Sequence, residues 1–493
     1  MAASIASGVC LLLILFAPAW AAAQGQASGK QQEVVFTLEQ ASGEQKGLVF
    51  TVEQASGEQK KVVFNLEGAI KRALEVDDRI KESRSDADVF RGKRTQADGA
   101  QWAQLTANAF TGPSPESDLR SSRGIIDSAS DTSDPVINGI FGRAQILLVQ
   151  PLYTFGKISS FREAAGRGVR ASEAGVSVTA SEVVLQVKQA YSGALLAGDI
   201  REFLLGLKEE LHRALDSAER RFEAGSAAVT LGDLYQLRAF LAGLAKGITD
   251  AAQGDRLARD ALRTLLQLEE GARIELADKK LNPITTDVKN VAEYERVASE
   301  IRPEFTQLRE GIKAREALVQ ASIADLYPVF YAALVADVAG ATNRDVSHVP
   351  IITDPLQHYQ GGVVVGLNWH FDFGIKRGKI DEAQADYAKL LHKQDFAEWG
   401  IPLQVRKAHL ELETAQENIK STEQAYRNAR RWLVTAVANV DLGIGDVREL
   451  TQAFLAYVTF RVDNFRAIYN QQIALANLTY ATGEAVRGFS ARP

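Results

Sequence analysis

Apolar residues recur along this chain at two periods, and each period predicts its own kind of element. No proline occurs from Leu152 to Asn282, and within that span Val169, Val176, Val183, Ala190, Ala197, Leu204, Leu211 and Ala218 fall every seven residues. A sustained heptad keeps one seam of a helix on a neighbour, as in a coiled coil. A helix from Gly156 to Phe222 would run about 100 Å at 1.5 Å per residue, far beyond the usual globular helix. The companion seam, Ser172, Thr179, Gln186 and Gly193, is small and polar where a solid two-stranded coil prefers Leu or Ile. One greasy seam beside a small or polar face suits the wall of a hollow tube. The same period returns at Val405, Leu412, Ile419, Tyr426, Leu433 and Val440, with Pro402 inside the segment as an expected kink.

Before each long helix the period changes to two. Ile140, Gly142, Ala144, Ile146 and Leu148 alternate with Phe141, Arg143, Gln145 and Leu147. Val363, Val365, Leu367, Trp369 and Phe371 alternate with Gly362, Val364, Gly366, Asn368 and His370. Apolar-out, polar-in alternation ending in aromatics is the pattern of a membrane barrel strand with an interfacial girdle. On this pattern Arg143 points into the barrel. Less clear partner strands precede these, at 101–112 and 327–337. Loops rich in Pro, Ser and Asp, 113–135 and 340–359, separate each pair and suit exposed turns. After each long helix a glycine-bearing turn, 223–230 or 439–445, leads to a returning helix. The returning helices carry Leu234, Leu237, Leu241, Leu244 and Ile248, then Val447, Leu450, Phe454 and Tyr457. Phe155-Gly156 aligns with Phe373-Gly374, and Leu231-Gly-Asp-Leu234 with Ile444-Gly-Asp-Val447, so the chain reads as an internal duplication. Four strands cannot close a barrel, and an open edge is not tolerated in lipid. If these are membrane strands, the chain must oligomerise.

Composition narrows the function classes. The 493 residues carry a net charge of −6 and no long basic stretch, which disfavours a nucleic-acid partner. Val9 to Ala17 is the apolar core of an export signal, followed by small-residue cleavage sites at 19–21 and 21–23. Its n-region lacks Lys and Arg. The single Cys, Cys10, lies inside that signal, so the mature chain has no disulfide and no Cys-based metal site. Residues 24–62 are a polar leader in which Val35-Phe-Thr-Leu-Glu39, Val49-Phe-Thr-Val-Glu53 and Val63-Phe-Asn-Leu-Glu67 recur at a spacing of fourteen. Only the third copy runs on into a helical pattern, at Leu66, Ile70 and Leu74. The first two read as a recent duplication that folds weakly or not at all. No metal-ligand spacing joins the six His, and no phosphate-cradling loop occurs. The expectation is no catalytic residue, no metal and no cofactor.

Four short motifs carry a family resemblance. They are Phe64-x-Leu-Glu-x-Ala-Ile-x-x-Ala-Leu74, Gln150-Pro-Leu-Tyr-x-Phe-Gly156, Arg221-Phe-x-x-Gly225 followed by Asp233, and Ala474-Leu-Ala-Asn-Leu-x-x-Ala-Thr-Gly483. In this order they resemble the TolC-like outer-membrane efflux and secretion channels across about 63–484. The resemblance implies a homotrimer in outer-membrane lipid, with four strands per chain in one twelve-stranded barrel. Its helices would form an α-barrel crossing the periplasm. It also implies a periplasmic adaptor protein and an inner-membrane transporter as partners, the energy source lying in the latter. The expected fold class is mainly α with a β-barrel portion, as long antiparallel helical hairpins plus four membrane strands.

The implied layout is a signal at 1–23, the leader at 24–62, a first repeat at 63–282, an equatorial linker at 283–302, a second repeat at 303–484 and a tail at 485–493. Within the repeats the strands fall near 101–112, 140–155, 327–337 and 361–373. The long helices fall near 156–222 and 374–440, and the return helices near 231–268 and 446–482. Adaptor docking falls to the hairpin tips: Arg221, Phe222, Gly225, Asp233, Leu442, Gly443 and Gly445. Plain turn chemistry competes for the glycines. The second tip lacks the Arg-Phe of the first. Asp441 and Asp446, repeated in a trimer, are candidates for a cation-favouring periplasmic constriction, with helix capping the competing role for Asp446. Tyr153, Phe155, Trp369 and Phe371 are candidates for the membrane-interface girdle, against burial at the junction. The alternative is an exported structural or adhesive coiled-coil protein, which leaves the apolar-out strands unexplained. A periplasmic adaptor would need lipoyl-like β segments that are not seen.

Overall fold

The computed structural model describes residues 61–116, 137–225, 229–269, 271–344, 354–442, 447–487 and 489. The expected export signal, the first two repeat copies and most of the loop over 113–135 lie outside these residues. So do Gly443, Gly445 and Asp446 at the second tip. All described elements belong to one compact unit, residues 57–493.

The third copy of the repeat opens the described fold. Lys61–Phe64 is a strand, β1, so the segment expected as leader to 62 ends in regular structure. Asn65 then turns the chain: its side chain accepts the Gly68 N–H at 2.8 Å and caps α1 (Leu66–Val76). Asp77 caps the next helix, α2 (Asp78–Gly99), by accepting the Arg79 N–H. There follow β2 (Gln104–Pro115), β3 (Ile137–Tyr153), α3 (Lys157–Glu223) and α4 (Leu231–Leu265). A short strand, β4 (Arg273–Leu276), pairs in parallel with β1, Phe64 lying opposite Leu276. The second half repeats the order with α5 (Val291–Ile301), α6 (Pro303–Ala324), β5 (Val329–Ala341), β6 (His358–Asn368), α7 (Ile375–Asp441) and α8 (Val447–Ala481).

Helix lengths carry the duplication further than the motifs did. The first and second helices of each half have 11 and 22 residues, the long helices 67 and the return helices 35, identically in both halves. The segment expected as a linker over 283–302 therefore holds α5, the counterpart of α1. Pro402 lies inside α7, which continues through it. Ile401 and Val405, flanking it, are buried against Ala474 and Leu478 of α8, and this packing offsets the missing backbone bond.

The heptad seam of α3 is the packed seam. Val183 is fully buried and Val169, Ala197, Leu204 and Leu211 are nearly so. Val183, Val184, Val187 and Tyr191 meet Phe64, Ile70, Leu262 and Ile274 in one core, and Ala485, Val486 and Phe489 of the expected tail pack on it too. The segment between β4 and α5 is a strap held by side chains from three helices. Asp199 of α3 accepts the Leu281 N–H (2.8 Å), and Gln471 of α8 both accepts from and donates to the Ile284 backbone (3.0 and 2.8 Å). Gln416 of α7 donates to the Thr286 carbonyl (3.0 Å). Burial is the main cause that raises the Asp199 pKa, and the Leu281 N–H opposes it.

The four long strands form one antiparallel sheet in the order β2-β3-β5-β6. Its outer edges, β2 and β6, have no partner strand among the described residues. The register places Arg143 opposite Phe110 and Ala339, Gln145 opposite Asn108 and Asp337, and Asp337 opposite Gln360. Directly opposed residues share a face. One face thus carries Thr106, Asn108, Arg143, Gln145, Asp337, His358 and Gln360. The other carries Leu105, Ile140, Ile146, Leu334, Val338, Val363, Val365 and Leu367, all exposed.

Candidate functional site

The polar face of the sheet is organised around a carboxylate. Arg143 Nε donates to Asp337 at 2.9 Å, its Nη2 to the second carboxylate oxygen, and Gln145 Nε2 to the same group at 3.1 Å. His358 Nε2 lies 3.4 Å from Asp337, and the Arg143 guanidinium sits over the Phe110 ring. Arg143 therefore points to the polar side, as the alternation implies. Asp337 and His358 were not singled out from the sequence, although their strand parity alone places them on the same face.

At the helical end of the sheet the girdle candidates gather in two groups, all partly exposed. Tyr153 meets Phe155 edge-on at 4.7 Å, and Phe155 stacks on Tyr327 at 5.0 Å. Trp369 meets Phe371 at 4.3 Å and donates its indole N–H to the Leu326 carbonyl at 3.0 Å. None of the four candidates is buried in the chain. The two aligned Phe-Gly pairs differ in backbone. Phe155 and Gly156 have φ of 50° and 89°, in the left-handed region, whereas Gly374 has φ 170° and is extended. At the second junction the Asp372 carboxylate takes over the cap, accepting from Lys376 N at 2.8 Å.

At the first tip Arg221 and Phe222 occupy the last turn of α3, and both are exposed. Gly225 follows with φ 73°, which favours glycine, its N–H donating to the Phe222 carbonyl. Asp233, expected among docking contacts, is occupied in a capping box: its carboxylate accepts from Thr230 N and Oγ1 while Thr230 Oγ1 accepts from Asp233 N. Leu442 is exposed just past the end of α7. Asp441 is the last residue of α7. Arg221, Phe222 and Gly225 lie together at the end of α3, and Thr230 and Asp233 cap the start of α4; the second tip is described only up to Leu442.

Among the described residues no group of His, Cys, Asp and Glu is arranged to hold a metal ion. No described helix is long and apolar enough to cross a membrane.

An antiparallel sheet with one apolar and one polar face, joined to two long helical hairpins, is the mainly α arrangement with four strands per chain that the sequence led us to expect. Comparison with known proteins agrees. Residues 296–484 match the family of the Outer membrane efflux protein. Among curated proteins none matches. The fold is similar to that of the VceC outer membrane protein of Vibrio cholerae, at 16% identity and TM-score 0.69, covering 85% of this chain and 96% of that one. It is similar to the Campylobacter jejuni CmeC outer membrane channel, at 13% identity and TM-score 0.69, covering 90% and 94%. It is also similar to the open state of the Neisseria gonorrhoeae MtrE outer membrane channel, at 17% identity and TM-score 0.65, covering 86% and 89%. The match thus covers part of the second half of the chain, and the fold as a whole is shared with these outer-membrane channels.

Proposed function

We propose that three copies of this chain close one twelve-stranded barrel and a continuous helical tube, which conducts efflux or secretion cargo across the outer membrane and periplasm. The observation that carries this is the sheet itself. Its apolar face is exposed over all four strands, its opposite face is polar, and neither edge has a partner strand among the described residues. Backbone groups at those edges need partners in lipid, and copies of the same sheet supply them. The polar face, with the Arg143–Asp337 pair, then lines the lumen. Tyr153, Phe155, Trp369 and Phe371 lie at the level where the sheet meets the helices, as an interfacial girdle would.

In the same reading a periplasmic adaptor docks on the tips, through Arg221, Phe222 and Gly225 and through the turn after Leu442, and an inner-membrane transporter supplies the energy. Asp441, repeated three times, favours cations at the periplasmic end. The functional layout is two repeats, each of helices, strand pair, long helix and return helix. Oligomeric mass of the detergent-purified protein, together with single-channel conductance in a planar bilayer, tests it. Trimers with stable pores support the reading; a monomeric protein that forms no pores overturns it.

A further inference from the structure

The loop end of the sheet, opposite the helices, carries a feature that the proposed channel function does not use. The lumenal face is buried there by the chain's own loop stems. Ser114 and Ala339 are fully buried and His358 and Asp354 nearly so, while apolar residues on the opposite face stay exposed. The covering groups are Asn343 and Arg344, just after β5, and Asp354, just before β6. Asn343 Nδ2 donates to the Ser114 carbonyl at 3.0 Å and lies against Asn138. Its amide occupies the space that a side chain at Gly139 would need, 2.2 Å from a Cβ there. Gly139 shares strand parity with Phe141, Arg143 and Gln145, so Asn343 is on the lumenal side. Arg344 Nη1 donates to the Pro115 carbonyl at 2.8 Å and its Nε to Asp354 at 2.7 Å, with both side chains largely buried. The Asp354 carbonyl accepts from His358 Nδ1 at 2.7 Å, and its carboxylate accepts the Leu356 N–H at 2.9 Å. The stem is thereby tied into the polar row of Arg143, Asp337 and His358.

We propose that the Arg344–Asp354 pair, held over the lumenal face by Asn343 and Gly139, narrows the outer mouth of the pore and sets the largest solute that passes it. This rests on the channel reading above, in which the pair recurs three times around one bore. A charged pair is costly to bury beside lipid or in an apolar core. Here it gains hydrogen bonds from the Pro115 carbonyl and the Leu356 N–H, and these hold the stem inward instead of letting it splay into water.

The test compares wild type with an Arg344→Ala/Asp354→Ala double variant in planar bilayers, using polyethylene glycols of graded size as probes added to the loop side. Removing the pair should raise conductance roughly 1.5-fold, as expected where a series constriction supplies about a third of the pore resistance. Larger polymers should then enter. The charge swap Arg344→Asp/Asp354→Arg should restore most of the wild-type cut-off. If the double variant does not assemble, Gly139→Val displaces Asn343 and should show the same widening. A trimeric variant with wild-type conductance and cut-off overturns the inference while leaving the channel reading intact. A wild type without pores overturns both.

Discussion

Glu310 on α6 accepts a hydrogen bond from Arg170 on α3 at 2.7 Å, and Arg167, one turn earlier on α3, reaches the same oxygen at 3.2 Å. The carboxylate is nearly buried, and burial alone would raise its pKa. The two arginine contacts outweigh that and hold it below the ordinary glutamate value. A depressed folded-state pKa contributes stability above the unfolded value and loses it as pH falls through the folded one. The pair should therefore hold α6 on α3 at neutral pH and release it from about pH 4.3 downward. Glu310→Gln should cost about 2 kcal/mol at pH 7, the worth of hydrogen bonds to a charged group. Thermal unfolding in detergent at pH 7 and pH 4 checks this: the gap between variant and wild type should shrink at the lower pH.

Gly483 explains why the closing motif ends in glycine. It stands at φ 82° after α8, its N–H donating to Tyr480 and the Glu484 N–H to Thr479, the two bonds of a Schellman turn. A Cβ there would lie 2.8 Å from Arg302 Cα. Gly483→Ala should destabilise by about 2 kcal/mol from left-handed strain and crowding together. Denaturant unfolding should show a lower midpoint with an unchanged slope.

The long elements were legible because period and length reinforce one another. A seven-residue repeat held from Val169 to Ala218, about fourteen turns, names α3, and parity alone sorts Val363, Val365 and Leu367 from Gly362 and Val364. What was not legible depends on partners distant in sequence. β1 and β4 are four residues each, too short to show a period, and each is a strand only because the other lies beside it. Helix α5 sits in a segment whose polar start, Asp287-Val-Lys-Asn290, reads as linker until Asn290 is seen capping it. At the candidate site Arg143 was placed by parity. Its partner Asp337, 194 positions away, appears only when β3 and β5 pair. Asp233 is a tip candidate through the resemblance of the Arg221–Gly225 turn, with two extra residues before it, and its reciprocal bonds with Thr230 form a local cap.

The two faces of β6 should respond differently to the same charge. Val363 lies mid-strand on the apolar face, and Gly362, beside it, is on the polar face with open space around its Cα. Val363→Arg should cost about 2–4 kcal/mol in lipid, whereas Gly362→Arg should be tolerated. The fraction of folded, heat-resistant oligomer recovered from liposomes separates them. Equal loss for both would argue against a lipid-facing sheet.

Asp441 ends α7, where a carboxylate is poorly placed for the negative end of the helix dipole. Its use is then better sought in the pore than in stability. Asp441→Asn should leave thermal stability unchanged or slightly raised and lower the cation-to-anion permeability ratio by roughly half. Reversal potentials under a salt gradient measure this.

Phe222 separates docking from folding at the first tip. It is partly exposed in the last turn of α3, next to Arg221 and before the Gly225 turn. Nothing in the hydrophobic clusters of the helices includes it. Its truncation should therefore cost the fold little, under about 0.5 kcal/mol. An exposed aromatic beside an arginine is the composition of an interface anchor. Phe222→Ala should weaken capture of the cognate adaptor at least tenfold while conductance in the absence of adaptor stays at the wild-type value. Thr230→Ala gives the contrast, because it breaks the cap on α4 and should lower stability by about 1 kcal/mol. If Phe222→Ala leaves adaptor affinity unchanged, the first tip is a turn and the docking surface lies elsewhere on the helices.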